Sequence, residues 1–474
     1  MIDLAKNSQK TVTVIGGGVA GMSAACSLAE AGWRVQLVER RGYLGGRASS
    51  YLHPGVGEVI DNCQHVLFGC CTNLIGFYRR IGVAEKIHWT HDMTLIEPGG
   101  KRSVLGPWGL GPSFLPAPLH GLPRFMSAGA FTWADKLALG RAFNVLMKPV
   151  AQGSTESLKD WLIRHKQTEG AVNRFWRLVI ASALNAEIDE IAVPYAAKVI
   201  RELFLNSAEA GSMGMSTVPL SELYAPVTPF LEVRGGSVHL NTNIESAAWD
   251  EETSQWTVET RAGALMSDFV VVALPFEATW KLLPQLPPAD GVEELSRQIE
   301  KHEHWPICSV HFWFDREITE LEHAVLLDRE IHWMYNQSRL QRRGGNYIEL
   351  VVSATRAFAA LPRDEAIAQA LRELAEFFPR VKEAKLEKVA LVKEVRATFG
   401  VPPGIDSARP GAVSPWPHLF LAGDWLRTGW PSTMESGARS GHLAAEAVCA
   451  AAGEARSILN EDLKPRGLMR FIGR

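Results

Sequence analysis

Gly16-Gly17-Gly18-Val19-Ala20-Gly21 follows a β-branched run, Thr11 to Ile15, and opens a stretch rich in helix formers. Positions without side chains at this spacing have separate uses. Gly16 permits a tight turn, Gly18 leaves room for a pyrophosphate against the backbone, and Gly21 lets helix and strand pack closely. Phosphate oxygens then meet the helix start at Val19 and Ala20. A second strand pattern, Arg34 to Val38, ends at Glu39, eighteen residues past Gly21, where a carboxylate can take ribose hydroxyls and disfavours a 2'-phosphate. The unit reads as a site for FAD or NAD rather than NADP. Arg40-Arg41-Gly42-Tyr43-Leu44-Gly45-Gly46-Arg47 follows at once: Gly45 and Gly46 remove side chains beside a phosphate, and Arg47 offers a forked donor to it.

Positioning these residues takes a strand, a glycine turn, a helix and a second strand. Far along the chain, Leu419-Phe420-Leu421-Ala422-Gly423-Asp424-Trp425 is a short strand ending in Gly-Asp, and Pro431-Ser432-Thr433-Met434-Glu435 leads into a helix of small residues. Ser432-x-x-Glu435 has the spacing of a capping box for that helix. Because one cofactor site is written near both ends, the expected fold is α/β: a discontinuous Rossmann-like FAD-binding domain with an inserted substrate domain of mixed sheet and helices. The expected boundaries are residues 1–90, 221–294 and 406–455 for the first, 91–220 and 295–405 for the second, and 456–474 for a C-terminal tail. Periodicity predicts helices at 156–165, 172–184 and 364–378, strands at 307–314 and 347–353, and a further group of strands within 238–273. No repeat or coiled-coil pattern is present.

The 474 residues are 46% hydrophobic and 21% charged, and 49 Lys and Arg against 52 Asp and Glu give a net charge of -3. That balance belongs to a folded globular chain without a basic footprint, so nucleic acid is not an expected partner. The six cysteines include no C-x-x-C; they are expected to be reduced, and Cys63, Cys70 and His65 match no zinc spacing, so no metal is expected. The polar N-terminus carries no secretory pattern, which points to the cytoplasm. Two segments suggest a membrane surface. Residues 103–123 hold no Asp, Glu, Lys or Arg but four Gly and five Pro, which forbid a spanning helix. Residues 463–474 mix four cations with Leu, Met, Phe and Ile.

Glu39-Arg40 through Gly45-Gly46-Arg47 resembles the E-R-x-x-x-x-G-G-R signature of the flavin amine oxidase and phytoene desaturase superfamily, which selects FAD over NAD. The resemblance implies that Arg40 to Arg47 wrap the FAD pyrophosphate and that the backbone near Val238 meets the adenine. It also implies that Gly423 and Asp424 meet the ribityl and pyrophosphate region, and that the helix start at Thr433 and Met434 points at the flavin. Within the superfamily, Asp61-Asn62-Cys63-Gln64-His65 through Gly69 resembles the D-N-G-Q-H-x-L-x-G-x-Y block of the bacterial hydroxysqualene dehydroxylases of hopanoid pathways. Further similarity runs through Arg174-Phe175-Trp176, Pro219 to Leu223 and His332 to Tyr335. Cys63 and Cys71 depart from that pattern, standing where it has Gly and Tyr. The implied reaction is FAD-dependent reduction of hydroxysqualene to squalene, with Gln64 expected to contact the cofactor. His65 is the candidate acid or hydrogen-bond donor, or else a buried histidine tied to a carbonyl, and Asp61 is a second candidate, read more readily as a turn or phosphate-loop residue. A carotene or phytoene desaturase, a flavin amine oxidase and a prenyl-binding escort protein of the GDP dissociation inhibitor type are the alternatives.

Overall fold

The computed structural model describes residues 9–107, 115–151 and 154–472. Its centre is a five-stranded, all-parallel sheet in the order Ser237–His239, Arg34–Val38, Thr11–Ile15, Phe269–Val272, Leu419–Leu421. The inner strands are β-branched and buried on both faces, Val12, Val14, Val270 and Val271 being fully enclosed, as a covered parallel sheet requires. The helices Val19–Glu30 and Met434–Ala451 pack on each other. Added Cβ atoms at Gly437 and Gly441 would meet Val19 and the Ala20 carbonyl respectively. Contacts that advance together along both helices mean that they run parallel, with their N-termini at one end.

A seven-stranded mixed sheet draws on Leu386–Phe399, His304–Phe314, Tyr347–Val352, Trp333–Asn336, His323–Leu326, Met93–Ile96 and Arg102–Leu105, in that order. Smaller sheets join Ser50–His53 to Glu58–Asp61, and Val66–Phe68 to Met213–Ser216 and Ile87–Thr90. The strands expected within 238–273 divide: Ser237–His239 and Phe269–Val272 enter the parallel sheet, while Ile244–Asp250, Gln255–Thr260 and Gly263–Ser267 form their own antiparallel sheet.

Helices lie at Leu158–Arg164 and Arg363–Phe377, close to their expected positions. The third expected helix is instead a wide-turned π-helix, Val172–Ala181, followed by one α-turn, Ser182–Leu184. Aromatic packing accompanies it: Phe175 meets Phe143, Phe204 and Trp176, and Trp176 meets Trp161. Sequence periodicity cannot separate i→i+4 from i→i+5 winding over ten residues.

The two segments read as membrane-facing meet each other. Leu468 N–H donates to the Ala117 carbonyl at 2.8 Å, and Met469 is fully buried. Residues 108–114, 473 and 474, and the N-terminal residues 1–8, lie outside the described residues. No described helix is long and apolar enough to cross a membrane.

Candidate cofactor and substrate site

The strand Thr11–Ile15 turns at Gly16, where φ is +111° and a Cβ would stand 2.5 Å from the Ala273 carbonyl oxygen; at Gly21 a Cβ would lie 1.8 Å from the Gly16 oxygen. Any side chain at either position pushes the helix off the sheet. Gly18 differs, since a Cβ there would meet nothing nearer than Gly46 at 3.9 Å. The space is open on the side where the helix begins. No side chain caps the start of Val19–Glu30, and its first turn has no acidic residue, so the positive end of the dipole and the leading amides are left for an anion.

The second glycine pair closes over the first. Gly45 N–H donates to the Gly17 carbonyl at 2.8 Å, and Gly46, at φ +62°, would press a Cβ onto Gly18 at 3.0 Å. Glu39 is buried beneath them, one carboxylate oxygen accepting from Gly17 N–H at 2.7 Å and the other from Arg41 N–H at 2.8 Å. It therefore ties both loops together, with a lone pair remaining on each oxygen for ribose. Arg40 is exposed, whereas Arg41 donates to the Gly46 carbonyl at 2.7 Å. Of the adjacent arginines, it is Arg41 that braces the loop. Neighbours two apart in an extended segment share a side, and only the fold decides which side faces the loop.

Arg47 and Asp424, expected singly on the cofactor, are brought together as an ion pair at 2.5 Å. Burial alone would push the Asp424 carboxyl up, but Arg47, the Ser432 hydroxyl at 2.6 Å and Arg409 hold it below the usual carboxylate range. Arg47 also reaches the Ala397 carbonyl at 3.0 Å. Arg409 is fully buried and binds the Asp424 and Trp425 carbonyls and the Tyr195 hydroxyl. Nothing adjacent to a motif marks Arg409 in the sequence. Gly423 N–H donates to Ser440, and a Cβ at Gly423 would strike the Trp425 ring at 2.4 Å.

The expected capping box is not formed. Thr433 is the N-cap of Met434–Ala451, accepting from Ser436 N–H at 3.1 Å, and Ser432 is turned to Asp424. Glu435, wholly buried, caps a different helix: its carboxylate accepts from the N–H groups of Asn73 and Leu74 at the start of Thr72–Arg80. Local spacing favoured Ser432 and Glu435, but the partner helix offered orphan donors that a local box could not match. Met434 receives a contact from the Tyr224 hydroxyl at 3.9 Å, beside Gly45. Val238 lies at the sheet edge, paired with Leu37.

Asp61 is neither a turn nor a phosphate-loop residue. It ends the strand Glu58–Asp61, is buried, and accepts from the Ser50 hydroxyl and from Leu220 N–H at 3.2 Å. Burial pushes its pKa up to about 6 against those hydrogen bonds. His65 Nδ1 lies 2.5 Å from the Cys63 carbonyl. A carbonyl only accepts, so Nδ1 carries the proton and Nε2 presents a lone pair. Burial lowers the His65 pKa to about 4, the Cys63 carbonyl opposing and Arg47 adding to the fall. Gln64 N–H donates to Glu349 at 2.6 Å, and its side chain accepts from Gln337; neither partner was expected from sequence. Beside this segment Cys63, Met213, Met215, Tyr335 and Val351 pack as a buried apolar cluster, with Trp333 stacked on Tyr335 at 5.8 Å. Among the described residues no cluster of His, Cys, Asp or Glu is placed to hold a metal, and all six cysteines are buried free thiols.

The arrangement fits FAD: open backbone at Gly18, an uncapped helix start, a carboxylate at ribose distance along the chain, and the second helix start converging on the same end. A family profile described as flavin containing amine oxidoreductase matches residues 19–449. The 15-cis-phytoene desaturase of Synechococcus elongatus is 25% identical over 470 residues, covering 93% of this chain and 96% of its own. A probable zeta-carotene desaturase of the same organism is 26% identical over 483 residues, covering 92% and 98%. Among solved structures, putrescine oxidase bound to putrescine superposes with a TM-score of 0.68 at 17% identity, covering 93% of this chain and 99% of its own. An oxidoreductase from Methanosarcina mazei superposes at 0.70 with 15% identity, covering 91% and 98%; these two share the fold. With the profile spanning nearly the whole chain over a site of this shape, the protein belongs to the flavin-containing amine oxidoreductase family and is an FAD-dependent oxidoreductase.

Proposed function

We propose that the enzyme reduces hydroxysqualene, a long isoprenoid allylic alcohol, to squalene. The observation that carries this reading is the segment Asp61 to Gly69, whose residue pattern resembles the dehydroxylase block and which borders the apolar cluster of Met213, Met215, Trp333 and Tyr335. An aromatic and thioether cluster of this kind accepts a hydrocarbon chain and steadies positive charge at an allylic carbon. Residues 1–90, 221–294 and 406–455 would hold FAD, chiefly through Gly16, Gly18, Gly21, Glu39, Gly45, Gly46, Gly423 and the two helix starts, and residues 91–220 and 295–405 would hold substrate. Reduced FAD held there would supply the hydride that replaces the hydroxyl at the allylic carbon, and the hydroxide lost would need a proton to leave as water. Neutral His65 would accept the substrate hydroxyl's hydrogen bond at Nε2 and orient it; the fraction protonated at Nε2 by solvent would donate that proton to the departing hydroxide, and a pKa of about 4 makes it a strong donor though a small fraction at neutral pH. Anaerobic incubation of the holoenzyme with reduced FAD and hydroxysqualene should yield squalene. Turnover of phytoene by oxidised enzyme, with none of hydroxysqualene, reverses the assignment.

A second reading, oxidative desaturation of a carotene precursor, draws on two facts: relatives at about 25% identity are named phytoene and zeta-carotene desaturases, and neutral His65 offers an acceptor, the form that removes a proton.

Squalene-sized substrates reside in bilayers, and we place the docking face where residues 463–472 cross the segment around Ala117. Leu119, Leu122, Met126, Leu468, Phe471 and Ile472 are exposed there, Phe471 at 82%, with Arg470 among them. Apolar side chains beside a cation suit an anionic lipid surface.

A further inference from the structure

Glu349 lies in the middle of the strand Tyr347–Val352 and has no exposed surface. One carboxyl oxygen accepts from the backbone N–H of Gln64 at 2.6 Å, and the other lies 2.6 Å from the Gln337 amide. Gln337 continues to the Gln64 side chain at 2.6 Å and to Gln341 at 3.1 Å. No ion pair to Glu349 forms among the described residues. Directly across the sheet stand His311 on one side and Tyr335 on the other. His311 is engaged by Tyr347 and Ser309 and is held neutral by burial, its pKa lowered to about 3. The other titratable groups facing the carboxyl are Asp61, Cys63 and Tyr347, none of them cationic; the Arg343 guanidinium acts on Asp61 and Tyr347 and forms no ion pair with Glu349. A carboxylate enclosed in this way lacks the counter-charge that makes burial of an ion tolerable.

We propose that Glu349 is a protonated, neutral carboxyl in the working enzyme and acts as the positioning residue for the Gln64-His65 segment. Its carbonyl oxygen holds Gln64 N–H, and its O–H donates to the amide oxygen of a turned-over Gln337. The amide oxygen and nitrogen of Gln occupy equivalent positions, so the Gln64, Gln337 and Gln341 chain reverses as a unit to receive that proton. Gln64 is thereby kept at a set height beside His65 without a second negative charge next to Asp61. A neutral Glu349 would hold the Gln64-His65 loop in the same way whichever isoprenoid is turned over.

Burial, with Asp61 adding and the Gln337 and Gln64 hydrogen bonds opposing, pushes the Glu349 pKa up to about 8 from 4.5. The folded chain therefore keeps a proton that the unfolded chain releases across that window. Stability from this group is full below the lower value and is lost as pH rises through the upper one. Three measurements on FAD-loaded protein test the proposal. Infrared spectra of the 13C-glutamate-labelled protein should contain a protonated-carboxyl band at neutral pH that fades toward pH 9 and is missing in Glu349→Gln. Wild-type Tm should fall relative to Glu349→Gln as pH rises between the two values. Glu349→Ala, which strands the Gln64 N–H, should lower turnover at every pH, and Glu349→Gln should restore it. If no labelled protonated band titrates in the wild type, or if Glu349→Gln is as inactive as Glu349→Ala while folded, a charged glutamate is required and the proposal is overturned. The infrared measurement on the wild type decides the matter even where a variant fails to fold.

Discussion

The bond between Arg47 and Asp424 spans 377 positions of sequence, so it locks the second glycine loop to the closing strand. Arg47→Ala leaves a buried carboxylate without its cation. We expect FAD affinity to fall by at least tenfold, read by titrating the apoprotein and following flavin fluorescence. Because the Asp424 pKa is depressed below its ordinary 3.8, this stabilisation is present above that value and is lost as pH falls through the lower folded-state one; flavin release on acidification should begin at higher pH in Arg47→Ala than in wild type. His65 makes a different pH prediction. If it returns a proton to the leaving hydroxide, its protonated fraction shrinks at neutral pH, and turnover should rise as pH is lowered from about 7 toward its pKa of about 4. A base at the same atom would give a rate that falls toward acid pH. His65→Ala should lower turnover by about a hundredfold or more with FAD retained.

Thr72–Arg80 begins without a side-chain cap of its own, and Glu435 supplies one from the start of Met434–Ala451. Two helix starts are thus fastened by one residue on the partner and one, Thr433, in place. Glu435→Ala should cost about 1–3 kcal/mol through the stranded Asn73 and Leu74 amides, against about 1 kcal/mol for Thr433→Ala. Denaturant melts of the holoprotein would rank them; equal losses would mean that Glu435 contributes no more than an ordinary cap. Burial pushes the Glu435 pKa up against these hydrogen bonds, so Glu435→Gln, which keeps one acceptor, should recover part of the loss.

At the scale of the whole molecule, the C-terminal tail is part of the body. Arg466 N–H binds the Asn206 carbonyl, Leu468 N–H binds that of Ala117, and Met469 is enclosed. Arg466 also pairs with Glu209 at 2.7 Å on an exposed surface. Removing the tail would uncover core, so point changes make the cleaner test. Phe471→Asp should abolish flotation with anionic vesicles at low salt while leaving Tm unchanged, because its side chain is 82% exposed. Flotation equal to wild type would remove this face from consideration.

The glycine framework proposed to hold FAD was legible because its requirements are local: turns at Gly16 and Gly45, close helix packing at Gly21, and an acid at the end of the second strand are set by backbone sterics within one strand-turn-helix-strand unit. That unit needs only residues 11–47 to be read. The closing strand near residue 420 was legible by the same logic, and the structure sets it beside Phe269–Val272 in the parallel sheet, whose strand order the sequence did not specify. What sequence left open depends on partners distant in the chain. That Glu435 caps another helix rather than its own, that Arg41 braces the glycine loop where Arg40 was expected at the cofactor, and that Asp61 holds Leu220 instead of serving a turn or phosphate loop are settled by which partners the tertiary fold brings near. Glu349 is the clearest case: a glutamate within Tyr-Ile-Glu-Leu-Val-Val reads as one polar residue in a strand, and only the packed sheet encloses it, leaves it without an ion pair among the described residues and sets it against the Gln64 amide.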